Sequence, residues 1–145
     1  MDTLDDLIQK QRIRRETISP REVRDALTLA RRDIKTARTV LANDWDWGFS
    51  IAYQGVINAC RALMFSEGFR PASSESHKTC LAFAHLRVGK EVEELIAYFD
   101  RMRVKRHQAM YDVAGRISQT EARNIFQKAE MFVRLMERKL QPKKA

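Results

Sequence analysis

The sequence predicts an all-α fold, an antiparallel up-and-down four-helix bundle with one short extra helix. Three observations predict it. Apolar residues recur at spacings of three and four over long segments, and no stretch shows the period of two expected of a half-buried strand. Two S-x-x-E capping boxes, at Ser19–Glu22 and Ser118–Glu121, mark helix starts. Only 5 Gly and 3 Pro occur in 145 residues, which leaves little material for a turn-rich β fold.

Residues 1–18 are expected as a looser N-terminal arm, 19–141 as the bundle and 142–145 as a basic tail. The first long helix starts at Ser19, with Pro20 at its first helical position. Its stripe runs Val23, Ala26, Leu27, Ala30, Ile34, Ala37 and Leu41, with arginines and lysines opposite. "NDWDWG" interrupts the pattern, and Asp44 or Asp46 is placed to cap the next helix. That second helix, "GFSIAYQGVINACRALMFSE", is apolar on most sides, so it belongs in the middle of the bundle. Gly55 and the alanines allow close helix approach there, and Gly68 supplies a stop.

"FRPASSES" reads as a loop, from which Ser74 or Ser76 caps a short third helix carrying Cys80, Leu81, Phe83, Ala84 and Leu86. That helix ends near Gly89. The fourth starts near Lys90 with Glu91, Glu93 and Glu94 as favourable first-turn charges. Its stripe is Val92, Leu95, Ile96, Phe99, Met102 and Met110. The last helix comes after the second capping box and carries Ala122, Ile125, Phe126, Ala129, Phe132, Val133, Met136 and Leu140, with Pro142 as its end.

Composition narrows the function classes. The net charge is +8, concentrated in "QKQRIRRE", "RMRVKRH" and "ERKLQPKKA", which favours polyanionic partners such as RNA, DNA, nucleotides or an acidic protein. No apolar run reaches the length of about 18 residues that a membrane span needs. No secretory signal is visible at the start, so a cytoplasmic protein is expected. Cys60 and Cys80 both sit in apolar patterns and are expected as reduced, buried thiols. The sequence has no Walker-type loop, zinc spacing, H-E-x-x-H or nucleophile elbow, so neither metal nor cofactor is expected.

The stretch most suggestive of chemistry is "RMRVKRHQAMYD", residues 101–112. Steps of three and four past Phe99 put Arg103 and Arg106 on or beside the apolar face. An unpaired charge on a buried stripe is costly, so either the stripe opens into a polar cleft or these arginines meet carboxylates. At about 100° per residue, Arg103 and His107 share a face, offset by about 40°. Arg106 and Tyr111 are offset by about 140° and converge only if the helix ends between them or a second chain closes the cleft. Arg101 and His107 do not converge on a straight helix. His77 sits at a helix start where its ring can line a loop, His85 falls on a helix flank, and Tyr53 lies mid-bundle with a hydroxyl that needs a partner.

Four segments together resemble the HEPN family (higher eukaryotes and prokaryotes nucleotide-binding domain), in its small stand-alone prokaryotic branch. They are "DALTLARRDIKTARTVL", "DWDWGFSIAYQGVINACRALMFSEGFRPASSESHKTC", "YFDRMRVKRHQAMYD" and "ISQTEARNIFQKAEMFVRLMERKL". The resemblance covers roughly residues 22 to 140. It implies a helical bundle, usually a homodimer, often working beside a minimal nucleotidyltransferase in a toxin–antitoxin pair. Active members resemble metal-independent endoribonucleases with an Arg, a polar residue and a later His. There the arginine steadies the phosphorane and the histidine moves protons for attack by the 2′-OH.

Onto that motif Arg106 and His107 map as the Arg–polar pair, and Tyr111 stands where the histidine is expected. With a reference pKa of about 10, a tyrosine is a poor general base near neutral pH. The resemblance therefore implies first a nucleotide- or RNA-phosphate-binding component of a two-gene system. In that reading Arg101, Arg103, Arg106 and His77 hold phosphate. The alternative is an endoribonuclease toxin whose catalytic set is Arg106, His107 and Tyr111. A second alternative, from charge alone, is a helical adaptor for an acidic protein.

Overall fold

The computed structural model describes residues 2–72, 75–112 and 114–141. The elements run in the order α1 (Leu4–Gln9), β1 (Ile13–Arg15), α2 (Pro20–Val40), α3 (Trp45–Ser66), β2 (Phe69–Pro71), α4 (Ser76–Val88), a 3-10 turn (Gly89–Val92), α5 (Glu93–Tyr111) and α6 (Gln119–Leu140). The fold is an all-α bundle, as the periodicity predicts. No helix among the described residues is long and apolar enough to cross a membrane.

α3 is the axis of the bundle. Phe49, Tyr53, Val56, Ile57, Cys60 and Met64 on its several faces are all buried, and α2, α6, α4 and α5 pack around it. An apolar surface on every side leaves the helix no face to give to water, so it has to be enclosed. α2 and α6 bury one stripe each; that of α6 carries no charge, whereas that of α2 takes in one buried carboxylate, Asp33. Phe99 of α5 meets Phe132 of α6 edge to face, with centroids 5.5 Å apart. Cys60 and Cys80 are free and buried, and burial pushes the Cys80 thiol up to about 12.

The local start signals operate as read. Ser19 and Ser118 each accept from the backbone N–H three residues on, while Glu22 and Glu121 reach back to the cap N–H. Asp44 caps α3 by accepting from Trp47 N at 2.9 Å. Asp46 does something else. Its carboxylate accepts from Gly115 N (2.8 Å) and Ile117 N (3.3 Å), tying the α5–α6 connection to the first turn of α3.

Four expectations are corrected. The stretch before Ser19 is not a loose arm over its described residues. Thr3 and Asp6 form a further capping box, and Leu7 and Ile13 are buried in the core. A small antiparallel ribbon pairs β1 with β2, Ile13 opposite Pro71; runs of three residues are too short to display an alternation. Ser76 is the first residue of α4 and not its cap. The cap position is Glu75, without a side-chain hydrogen bond, and Ser74 lies outside the described residues. The fourth helix begins at Glu93, because residues 89–92 take the tighter turn, within which Glu91 pairs with Lys139 at 3.1 Å. Pro142 also lies outside the described residues.

The α2–α3 turn depends on Gly48. A Cβ there would lie 2.5 Å from Leu41 Cδ2 and 2.7 Å from Leu41 Cγ. Gly48→Ala is expected to lower stability, because overpacking of about 1–3 kcal/mol outweighs the helix-propensity gain of about 0.5–1 kcal/mol. A thermal melt checks it; an unchanged or raised midpoint would show that Leu41 swings aside freely.

Candidate functional site

α5 loses its apolar character halfway along. Ile96 and Phe99 are buried, while Arg103 and Arg106, farther down the same helix, are half-buried and border an open cleft of about 760 Å³. The cleft lies between the C-terminal half of α5 and the first turn of α4. Arg103, Arg106, His107 and Tyr111 line it from α5, and His77 and Lys78 from α4. Glu75 and Asp112 add two carboxylates. The stripe thus opens into polar space, the first of the two outcomes that the misplaced charges allowed, and Arg103 also meets a carboxylate, that of Asp100.

Arg106 is the best-held cation. Its guanidinium carbon lies 5.3 Å from the centroid of the Tyr53 ring, a cation–π arrangement that orients the fork. Its Nε is buried and has no hydrogen-bond partner among the described residues. Among the described residues Arg103 makes one ion pair, Nε donating to Asp100 Oδ1 at 3.2 Å, on a carboxylate that is itself half-exposed.

The two histidines of the cleft differ in setting. His107 is exposed and its ring packs on that of Tyr111, with centroids 4.9 Å apart at 44°. The helix ends at Tyr111, so the residue is drawn to the cleft despite its angular offset from Arg106. His77 is half-buried, and its Nδ1 lies 3.3 Å from the hydroxyl of Tyr53. Burial lowers the His77 pKa, and the Arg106, Arg103 and Arg61 charges lower it further, so the ring is neutral at pH 7. Burial likewise raises the Tyr53 phenol well above its ordinary value, and it stays protonated.

Six of the residues singled out from the sequence thus meet around one space: His77, Arg103, Arg106, His107 and Tyr111 at the cleft, and Tyr53 behind it. Arg101 is not brought there. It is exposed, with its guanidinium 5.9 Å from the Tyr98 centroid. His85 is half-buried on α4 away from the cleft. Lys78 and Glu75 were missed. The basic step after His77 in "SESHKT" was the available signal for Lys78, and Glu75 carried none. Among the described residues no group of three or more His, Cys, Asp or Glu side chains could hold a metal ion.

The position of α4, and with it of His77, is secured from the N-terminal segment. Arg12 Nε donates to the buried hydroxyl of Thr79 at 3.0 Å, and Arg12 also pairs with Asp2 at 3.3 Å.

No match to the chain is found among curated proteins or among solved structures. The HEPN domain family matches it over residues 23–139, from the first turns of α2 to the last turn of α6. That span takes in the helices from α2 to α6 and both sides of the cleft, and the chain belongs to the HEPN domain family.

Proposed function

We propose that the α4–α5 cleft binds the phosphates of RNA or of a nucleotide, and that the protein acts as the binding component of a two-gene, toxin–antitoxin-like system with a minimal nucleotidyltransferase. Membership of the HEPN family carries the coarser part of this reading, a nucleotide- or RNA-related function. The observation that supports the finer part is Arg106, held by the Tyr53 ring at the wall of an open cleft. A planar fork held in place suits a phosphate's oxygens. Arg103 and Lys78 add charge on either side. Work as a homodimer belongs to the same proposal.

The test is a titration with a single-stranded oligoribonucleotide at several salt concentrations. If Arg103, Arg106 and Lys78 each neutralise a phosphate, the logarithm of the association constant should fall against that of salt with a slope of about −2. Absence of binding at low salt would refute the reading. A nucleotidyltransferase that co-purifies with the chain would support the two-gene part.

A second reading, a metal-independent endoribonuclease, draws on one observation. Exposed His107 borders the same cleft as the two arginines, and an imidazole there suits acid–base chemistry at a 2′-OH. It requires RNA cleavage in the presence of a chelator that is lost in both His107→Ala and Arg106→Ala. Intact RNA under those conditions leaves the binding role.

A further inference from the structure

Tyr53 is wholly buried in α3, and its hydroxyl has one hydrogen-bond partner among the described residues, His77 Nδ1 at 3.3 Å. The direction of that bond decides what His77 presents to the cleft. If Nδ1 carried the proton, the phenol would accept, and its own buried proton would be left without an acceptor. Such an orphaned buried donor is destabilising, since it has given up water without gaining an acceptor. If the phenol donates, both groups are satisfied, Nδ1 is an acceptor, and the single proton of the neutral ring sits on Nε2.

We infer that Tyr53 is a positioning residue that locks His77 in its Nε2–H form, so that His77 offers one uncharged N–H donor to a phosphoryl oxygen bound beside Arg106. The inference rests on the phosphate-binding reading of the cleft, and it adds a division of labour. Arg106 and Arg103 supply charge, and His77 supplies direction without charge. The surroundings favour that division. Arg61 of α3, Arg103 and Arg106 of α5 and Lys78 of α4 are the cations near the ring, against Glu75 and Asp112 in the cleft wall and Asp100 beside Arg103. A second positive charge at His77 would be repelled. A neutral Nε2–H ring also has no lone pair at Nε2 with which to act as a base, which separates its role from that of exposed His107.

The experiment uses the full chain labelled with 15N at histidine, and long-range 1H–15N correlation at pH 7 to read the tautomer of each ring. The probe is a short uridine oligoribonucleotide. In the wild type, His77 is expected as the Nε2–H tautomer, with its Nε2 signal shifting when the oligonucleotide is added. Tyr53→Phe removes one oxygen and keeps the ring that Arg106 covers. It is expected to remain folded, to lose the single-tautomer signature, and to bind about three- to tenfold more weakly. His77→Gln, which keeps an N–H donor, is expected to bind better than His77→Ala. An Nδ1–H or protonated His77 in the wild type, or an unchanged Nε2–H signature in Tyr53→Phe, overturns the Tyr53–His77 pairing whatever the protein binds. A wild type that holds the Nε2–H form yet binds no oligonucleotide overturns instead the cleft reading and the phosphoryl ligand with it.

Discussion

Arg106→Ala is expected to weaken binding of a single-stranded oligoribonucleotide about 30-fold, a loss of about 2 kcal/mol, as for a hydrogen bond to a charged group. The size reflects how the side chain is held. The Tyr53 ring fixes the guanidinium 5.3 Å from its centroid, so little entropy remains to be lost when a phosphate arrives. The salt slope should also shrink by about 0.7, the share of one phosphate on a single strand. Arg106→Lys keeps the charge but not the planar fork and should recover only part of the affinity. Arg101→Ala is the control. Its guanidinium lies over Tyr98 outside the cleft, so its affinity should stay within about twofold of wild type. Equal losses for Arg101→Ala and Arg106→Ala would place binding on the general positive surface and remove the cleft from the account.

Asn58→Leu is expected to cost about 3 kcal/mol of folding stability, or about 10 °C in Tm. Asn58 and Asp33 are both buried, and Asn58 Nδ2 donates to Asp33 Oδ2 at 2.7 Å where α3 crosses α2. Among the described residues the remaining partner of Asp33 is Arg32, whose side chain is two-thirds exposed and reaches it at 3.3 Å. Removing the amide therefore leaves a carboxylate in the interior with one weak contact. The double variant Asp33→Leu/Asn58→Leu should recover at least half of the loss, since two apolar side chains need no partner. Denaturant unfolding of the three variants measures this coupling. A single-variant cost under about 1 kcal/mol would mean that water reaches Asp33 readily.

The two capping boxes at Ser19 and Ser118 were legible because a cap is closed by residues three apart. The central place of α3 was legible for a similar reason, since its apolar residues face every direction. Arg103 and Arg106 stood out as charges on an apolar stripe. The cleft they border explains both, with Asp100 also pairing Arg103, and periodicity alone left open which of the two it would be. Other features needed distant partners. Thr3 signals the helix at Leu4–Gln9, but only packing of Leu7 and Ile13 makes the segment part of the core. Asp44 and Asp46 look alike as caps in the sequence. One caps α3, while the other holds the backbone at Gly115 and Ile117, remote in the chain.

By itself, then, the sequence determined the helical class, the helix starts at Ser19 and Ser118, the enclosed helix and the basic segment at the end of α5, because each arises from near-neighbour spacing. The tertiary structure decided which of those basic residues share a space. It set Arg106 over Tyr53, brought His77 from α4 to the phenol, drew Tyr111 in at the helix end and left Arg101 outside. The physical reason is that a helix specifies the direction of a side chain, whereas the partner it meets depends on how separate helices pack.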